Sequence, residues 1–187
     1  MRVPASTSIG RYTQPDPIGF VGGVNLFSYT KNRPTNSVDP DGLKTVIFTG
    51  CRIWFVDDGG NIVKQCRGSS GEPGMGINDQ NKENVGPTPE GWYWYWPSDW
   101  SGGGLKAIWR NITHPGWGRW RVVLHPESGT NTYGRTNMFF HGDWNNRPGT
   151  KGCIDMFDNC ETWAKNWSLQ DSAPVSFYVK YVEGPCN

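Results

Sequence analysis

The run Trp92-Tyr93-Trp94-Tyr95-Trp96 constrains the fold more than any other stretch of this chain. Tryptophan and tyrosine alternate with a period of two. In a strand that period places one ring type on each face, whereas a helix would mix them. Other segments carry the same strand character. Lys44 to Phe48, Arg52 to Val56, Ala107 to Ile112, Trp120 to Leu124, Asn137 to His141 and Val175 to Val182 are short and mostly rich in β-branched or aromatic residues. Gly68 to Asn84 is rich in Gly, Ser, Asn and Asp and reads as a loop. One helix is expected, from Asp158 to Trp167, with Trp163 and Trp167 on one face. The expectation is a mainly β domain with one or two short helices. The chain has eleven tryptophans. In a β domain with few aliphatics they serve as core, so the inward-facing Trp of the 92–96 strand are expected inside. An aromatic platform of Trp92, Trp94, Trp96, Trp100, Trp117 and Trp120 for stacking on sugar rings is the competing reading.

The chemistry-bearing stretch lies further on. Met138-Phe139-Phe140 leads into His141-Gly142, and after a loop the chain reads Thr150-Lys151-Gly152-Cys153-Ile154. A thiol nucleophile needs a base for its proton and backbone N–H groups for the oxyanion. Cys153, entering a turn after Gly152, offers its own N–H and that of Gly152, and a strand end holds His141 rigidly. Taken alone, the same residues also fit a buried structural cysteine and a histidine satisfied by backbone.

This segment resembles the catalytic signature of the L,D-transpeptidases (YkuD fold), which reads His-Gly, a variable loop, then Ser/Thr-x-Gly-Cys. It is similar to the compact version found in type VI secretion effectors. Pro87-Thr88-Pro89-Glu90-Gly91-Trp92-Tyr93 resembles the family's upstream strand entry, so the motifs cover the middle third of the chain. The resemblance implies a YkuD-like β-sandwich. It implies Cys153 as nucleophile, His141 as general base, Gly142 orienting the histidine through its carbonyl, and an oxyanion hole from the backbone of Gly152, Cys153 and Lys151. Thr150 stands where the family has Ser or Thr. Two positions depart from the pattern: Lys151 replaces a frequent His, and Asp155 replaces a frequent Arg or Asn. Arg135, Arg147 and Lys151 are the candidates to replace the missing positive charge in substrate binding. Trp144, between His141 and Cys153, is the first candidate for a substrate-contacting ring, ahead of Trp100 and Trp117.

The front of the chain is a different object. From Gly10 to Leu43 it is punctuated by Pro and Gly and ends Val38-Asp39-Pro40-Asp41-Gly42-Leu43. It resembles the terminal segment of the Rhs/YD-repeat core, a β-shell that encloses a variable C-terminal toxin. Pro34, Asp39, Pro40, Gly42 and Leu43 match its Pro-x4-Asp-Pro-x-Gly-Leu signature. The resemblance implies cleavage after Leu43 by an aspartate pair, here Asp39 with Asp16. Residues 1–43 would be the Rhs core end and residues 44–187 the toxin domain.

Five cysteines leave four once Cys153 is set aside, and four allow three pairings. Cys51 to Cys66 reads as a hairpin with its turn at Asp57-Asp58-Gly59-Gly60-Asn61. Symmetric folding about Asp58-Gly59 sets Cys51 opposite Cys66, leaving Cys160 for Cys186. Disulfides point to an oxidising compartment such as the periplasm; the same cysteines as reduced thiols would fit the cytosol.

The formal net charge of +1 argues against a nucleic-acid partner. No run of eighteen apolar residues encodes a membrane span, and no secretory leader is evident at the N-terminus. His114 and His125 precede prolines and could converge with His141 on zinc, but no His-Glu-x-x-His spacing supports a metal site; no metal and no cofactor are expected. The expected partners are peptidoglycan stem peptides, a cognate immunity protein, and the Rhs shell with its secretion apparatus. Another wall-directed cysteine peptidase or amidase, or a non-catalytic glycan-binding module, are the alternatives.

Overall fold

The computed structural model describes residues 5–6, 11–12, 44–113, 116–143 and 149–184. The strands are β1 (Ala5–Ser6), β2 (Arg11–Tyr12), β3 (Thr45–Phe48), β4 (Arg52–Val56), β5 (Ile62–Ser70), β6 (Gly91–Tyr95), β7 (Ser101–Gly102), β8 (Trp120–Val123), β9 (His125–Pro126), β10 (Phe139–Gly142), β11 (Ile154–Met156) and β12 (Val175–Val179). The helices are α1 (Gly104–Thr113) and α2 (Cys160–Ser168). β1 and β2 form an antiparallel pair of their own. The remaining strands form a ten-stranded sheet in the order β7-β8-β10-β11-β5-β4-β3-β12-β6-β9.

β5 is the strand that makes this sheet a sandwich. Its first part ladders with β4 as far as the Arg52–Arg67 pair, and Gly68 to Ser70 ladder with β11. Gly68 stands at the change of partner, where a Cβ would run into the Asp155 carbonyl and the Ile53 side chain. Beyond it the two halves face each other. Phe140 of β10 meets Phe177 of β12 at 4.9 Å and Phe55 of β4 at 6.4 Å between ring centroids. All three rings are fully buried. α2 closes over this core by setting Trp163 and Trp167 edge-on to Phe55, at 5.1 and 5.4 Å. The mainly β expectation with one or two short helices holds.

Four expectations are corrected. Ala107 to Ile112 is helix, not strand: Leu105, Ile108, Trp109 and Ile112 recur at the helical spacing, and this outweighs the β-branched content. In β6 the tyrosines face the core and the tryptophans face outward. Tyr93 and Tyr95 are fully buried, while Trp96 is 43% exposed. Trp92 stacks on Tyr178 and Trp94 on His125 across neighbouring strands. Gly68 to Ser70, read as loop, complete β5. The hairpin exists, but its register is two residues away from the symmetric one. Ile53 is opposite Cys66, and a bulge at Phe55/Val56 absorbs an asymmetric turn capped by the Asp57 carboxylate on the N–H groups of Gly59 and Asn61.

That register decides the disulfides. Cys66 bonds Cys160 at the start of α2, with 6.4 Å between Cα atoms and 94 positions between them in sequence. Cys51 is also disulfide-bonded, but not to Cys66. Cys186, with Pro185 and Asn187, lies outside the described residues. Among the described residues no helix is long and apolar enough to cross a membrane.

Candidate active site

The outer face of the β8-β10-β11-β5 half collects the polar side chains. His141 is directly opposite Arg121 on β8 and Asp155 on β11, and Asp155 is opposite Ser69 on β5. Residues directly opposed on adjacent strands share a face, so Arg121, His141, Asp155 and Ser69 form one row. The alternate residues Phe140, Ile154 and Met156 point inward and are fully buried. The burial of one set therefore orients the other. Two positions back along the strands, Phe139 and Cys153 share the outer face. A strand spacing of about 4.8 Å and a rise of about 3.3 Å per residue separate the Cα atoms of His141 and Cys153 by about 8 Å.

His141 is 4% exposed. Its Nδ1 is 2.8 Å from the Gly142 carbonyl oxygen. A carbonyl only accepts, so Nδ1 carries the hydrogen, and in the neutral ring Nε2 holds the lone pair. The Trp117 ring lies 5.0 Å from the imidazole and packs edge-on to Phe139.

Cys153 is the free cysteine of the described chain and is 8% exposed. Burial pushes its thiol up to about 11; a backbone hydrogen bond from Phe139 and the charges of Arg135 and Arg121 pull the other way, and Asp155 pushes up. At neutral pH the resting group is a thiol, so reaction needs a base to take its proton.

Three hydroxyls fix the turn that presents it. Thr88 Oγ1 donates to the Gly152 carbonyl at 2.8 Å, and Ser70 Oγ and Thr150 Oγ1 donate to the Cys153 carbonyl. In a trans peptide the N–H points opposite the carbonyl, so the first bond turns the Cys153 N–H away from Thr88. Gly152 has φ +95, and a Cβ there would overlap the Arg135 guanidinium. Glycine is thus required twice over at this position.

The candidate substrate-binding residues divide. Arg135 is 6% exposed, and its guanidinium donates to the carbonyls of Gln80, Pro87 and Gly86 at 2.6, 2.6 and 3.0 Å. It ties the 80–87 loop above Gly152 instead of offering a free cation. Thr150 is spent on the backbone in the same way: its Oγ1 also accepts from the Gly71 N–H at 3.2 Å. Lys151 is exposed. Trp100 is buried, with its indole N–H donating to Ser168 Oγ at 2.8 Å, and is core. Asp155 is 1% exposed; burial pushes its carboxyl up to about 7, against two hydrogen bonds to Oδ1 from the N–H and hydroxyl of Ser69. Trp144, Arg147, Asp16, Asp39, Leu43 and His114 lie outside the described residues. Among the described residues no group of three or more His, Cys, Asp or Glu is arranged to hold a metal ion.

The sequence reading passed over Ser70, Thr88 and Arg121. Thr88 stands in the Pro87–Tyr93 segment already singled out. Arg121 stands in a recognised strand, but only the pairing of that strand with β10 shows which face it shares.

No family model matches the chain, and no curated relative matches it. Among solved structures, the helical cell shape determining protein Pgp2 from Campylobacter jejuni is similar at 17% identity, over 79% of this chain and 51% of that one, with a TM-score of 0.47. A K307A variant of Pgp2 is similar at 17% identity over 79% and 50%, with a TM-score of 0.45. L,D-transpeptidase 1 from Mycobacterium tuberculosis is similar at 11% identity over 74% and 60%, with a TM-score of 0.39. The chain spans about half the length of the Pgp2 structures.

Proposed function

We propose that this chain carries a cysteine acyl-transfer enzyme acting on the stem peptides of the bacterial cell wall. The observation that carries the reading is the pairing of Cys153 and His141: one free thiol, held in a hydroxyl-braced turn, on the same sheet face as a histidine whose Nδ1–H is tied to the Gly142 carbonyl. The His-Gly, Thr-x-Gly-Cys signature that resembles the L,D-transpeptidases gives the substrate class.

In this mechanism Nε2 of His141 takes the Cys153 proton as sulfur attacks the carbonyl carbon of the residue preceding a terminal D-alanine. The tetrahedral oxyanion is received by backbone N–H groups of the Gly152–Cys153 turn. Its collapse breaks the amide bond, D-alanine leaves with the proton carried by His141, and a thioester forms. Water then regenerates the thiol with loss of D-alanine overall; an amine acceptor gives exchange or a cross-link. A hydroxyl-fixed turn suits this chemistry because the N–H directions are set before the substrate arrives.

Within the same proposal, residues 1–43 are the end of an Rhs core, with cleavage after Leu43 by Asp39 and Asp16. The domain is then a contact-delivered toxin acting in the target's periplasm and neutralised by an immunity protein. The disulfide-bonded cysteines Cys51, Cys66 and Cys160 agree with an oxidising site of action.

The test is incubation of the purified full chain with disaccharide tetrapeptides, with and without D-methionine, followed by mass spectrometry. Loss of one alanine, or its replacement by methionine, is expected, and Cys153→Ala abolishes both. Intact tetrapeptides, or cleavage at another bond, reject the reading.

A further inference from the structure

Among the described residues the Arg121 guanidinium has no hydrogen-bond acceptor and no ion-pair partner. It sits on β8 opposite His141, on the face that carries Cys153. Its charge centre lies 4.8 Å from the Trp117 ring centroid and 5.1 Å from that of Phe139. Two rings therefore hold the planar group in place. Nε is buried and has no hydrogen-bond partner. Among the described residues neither a carboxylate nor a carbonyl accepts from this guanidinium.

An ordered cation with unspent donors is costly unless something else supplies the acceptor. A buried donor left unmade costs about 1–3 kcal/mol, and more when charged. The acid of its own row does not serve. Asp155 stands two strands away across His141, about 9–10 Å by strand spacing, and Ser69 occupies its Oδ1. Among the described residues, two other cations near the turn are committed or turned outward: Arg135 binds three carbonyls and Lys151 is exposed.

We infer that Arg121 is the substrate-recognition cation of the Cys153 site, forming a bidentate pair with a carboxylate of the acyl-donor peptide. The stacked, flat guanidinium presents its fork in one orientation, which matches a carboxylate better than an ammonium on a flexible stem would. The substrate class is a peptide with a free carboxylate within one residue of the attacked carbonyl. A terminal D-alanine supplies one. This inference rests on Cys153 being the acylated residue.

The test separates the two claims by using a probe of the thiol itself. In the oxidised full chain, Cys153 is alkylated by iodoacetate or by iodoacetamide, and intact mass and peptide mapping give the rates. In both reactions the thiolate displaces iodide and an S–CH2 bond forms; only iodoacetate carries the anion. The wild-type iodoacetate-to-iodoacetamide ratio is expected to exceed that of free cysteine at the same pH. Arg121→Gln lowers it roughly ten- to hundredfold, the scale of a charge-assisted hydrogen bond. Arg121→Lys, which keeps the charge and loses the fork, falls between. The ratio cancels any change in thiolate fraction, and the iodoacetamide rate reports folding.

In parallel, wild type and Arg121→Gln are given tetrapeptides ending in a free acid or a carboxamide. Loss of the acid preference in the variant supports the proposal. An unchanged ratio and an unchanged acid preference in Arg121→Gln overturn it, even if tetrapeptides are processed. Should Arg121→Gln not fold, a wild-type ratio no higher than that of free cysteine overturns it. If the ratio falls as expected and no tetrapeptide is processed by the wild type, Arg121 stands as the anion site and the stem-peptide reading fails.

Discussion

Thr88 Oγ1 donates a hydrogen bond to the Gly152 carbonyl at 2.8 Å across 64 positions of sequence. A side chain at the entry to β6 thereby sets the peptide plane that delivers the Cys153 N–H. Ser70 joins the two, accepting from the Thr88 N–H at 2.8 Å and donating to the Cys153 carbonyl at the same distance. The nucleophile's turn is held by strand β5 and the β6 entry as well as by Thr150 of its own loop.

Thr88→Val keeps the shape of a fully buried side chain and removes its donor. The Gly152 carbonyl is then left short of a partner, at a cost of about 1–3 kcal/mol in urea unfolding. Turnover falls more than stability, with the loss in kcat and little change in KM, because the oxyanion donors lose their aim. A kcat equal to wild type would detach the network from the chemistry.

Gly152→Ala places a Cβ against the Arg135 guanidinium at φ +95. Far-ultraviolet circular dichroism and limited proteolysis are expected to show a domain that is destabilised or unfolded. Arg135→Met in the same chain relieves the overlap but not the backbone cost of about 1–2 kcal/mol, so rescue is partial at most.

Asp155 keeps its proton in the folded state over a range where the unfolded chain has lost it. Its carboxyl is raised by burial from 3.8 to about 7, so stability is fully present below 3.8 and declines as pH rises toward about 7. Asp155→Asn removes that decline. The variant should match wild type near pH 4 and exceed it at pH 8, by on the order of 2–4 kcal/mol in denaturant titrations. It also removes a charge that raises the Cys153 thiol. The pH profile of iodoacetamide labelling, expected to climb toward about 11 in wild type, therefore shifts to lower pH.

The Cys66–Cys160 bond closes a long loop and pins the start of α2 to β5. Replacing both cysteines with alanine removes about 4–5 kcal/mol in the chain-entropy account of a loop near a hundred residues. Differential scanning calorimetry should show a Tm drop of well over ten degrees. A Tm unchanged from wild type would mean that the packing of Trp163 and Trp167 on Phe55 alone carries α2.

Local pattern made much of this protein legible. The period of two in residues 92–96 declares a strand, and the Gly-rich step at 57–61 declares a turn. The sequence also brings His141-Gly142 and Gly152-Cys153 into one short stretch. Each of these is set by a residue's own backbone preference or by near neighbours, so no knowledge of the rest of the chain is needed. Helix α1 was legible in principle, since Leu105, Ile108, Trp109 and Ile112 repeat at helical spacing; β-branched content at 107–112 masks it.

Tertiary structure alone decided the rest. Which cysteine meets Cys66 depends on a bulge and a two-residue register change. Whether Tyr or Trp of β6 enters the core depends on which face meets the opposing half of the sandwich. Most of all, one arginine is consumed and another is not: Arg135 lies under a loop with three carbonyls to satisfy, and Arg121 lies between two rings with no acceptor among the described residues. The two side chains are chemically identical in the sequence. What separates them is the supply of acceptors around each guanidinium, and that supply comes from segments tens of residues away that only the folded sheet brings near.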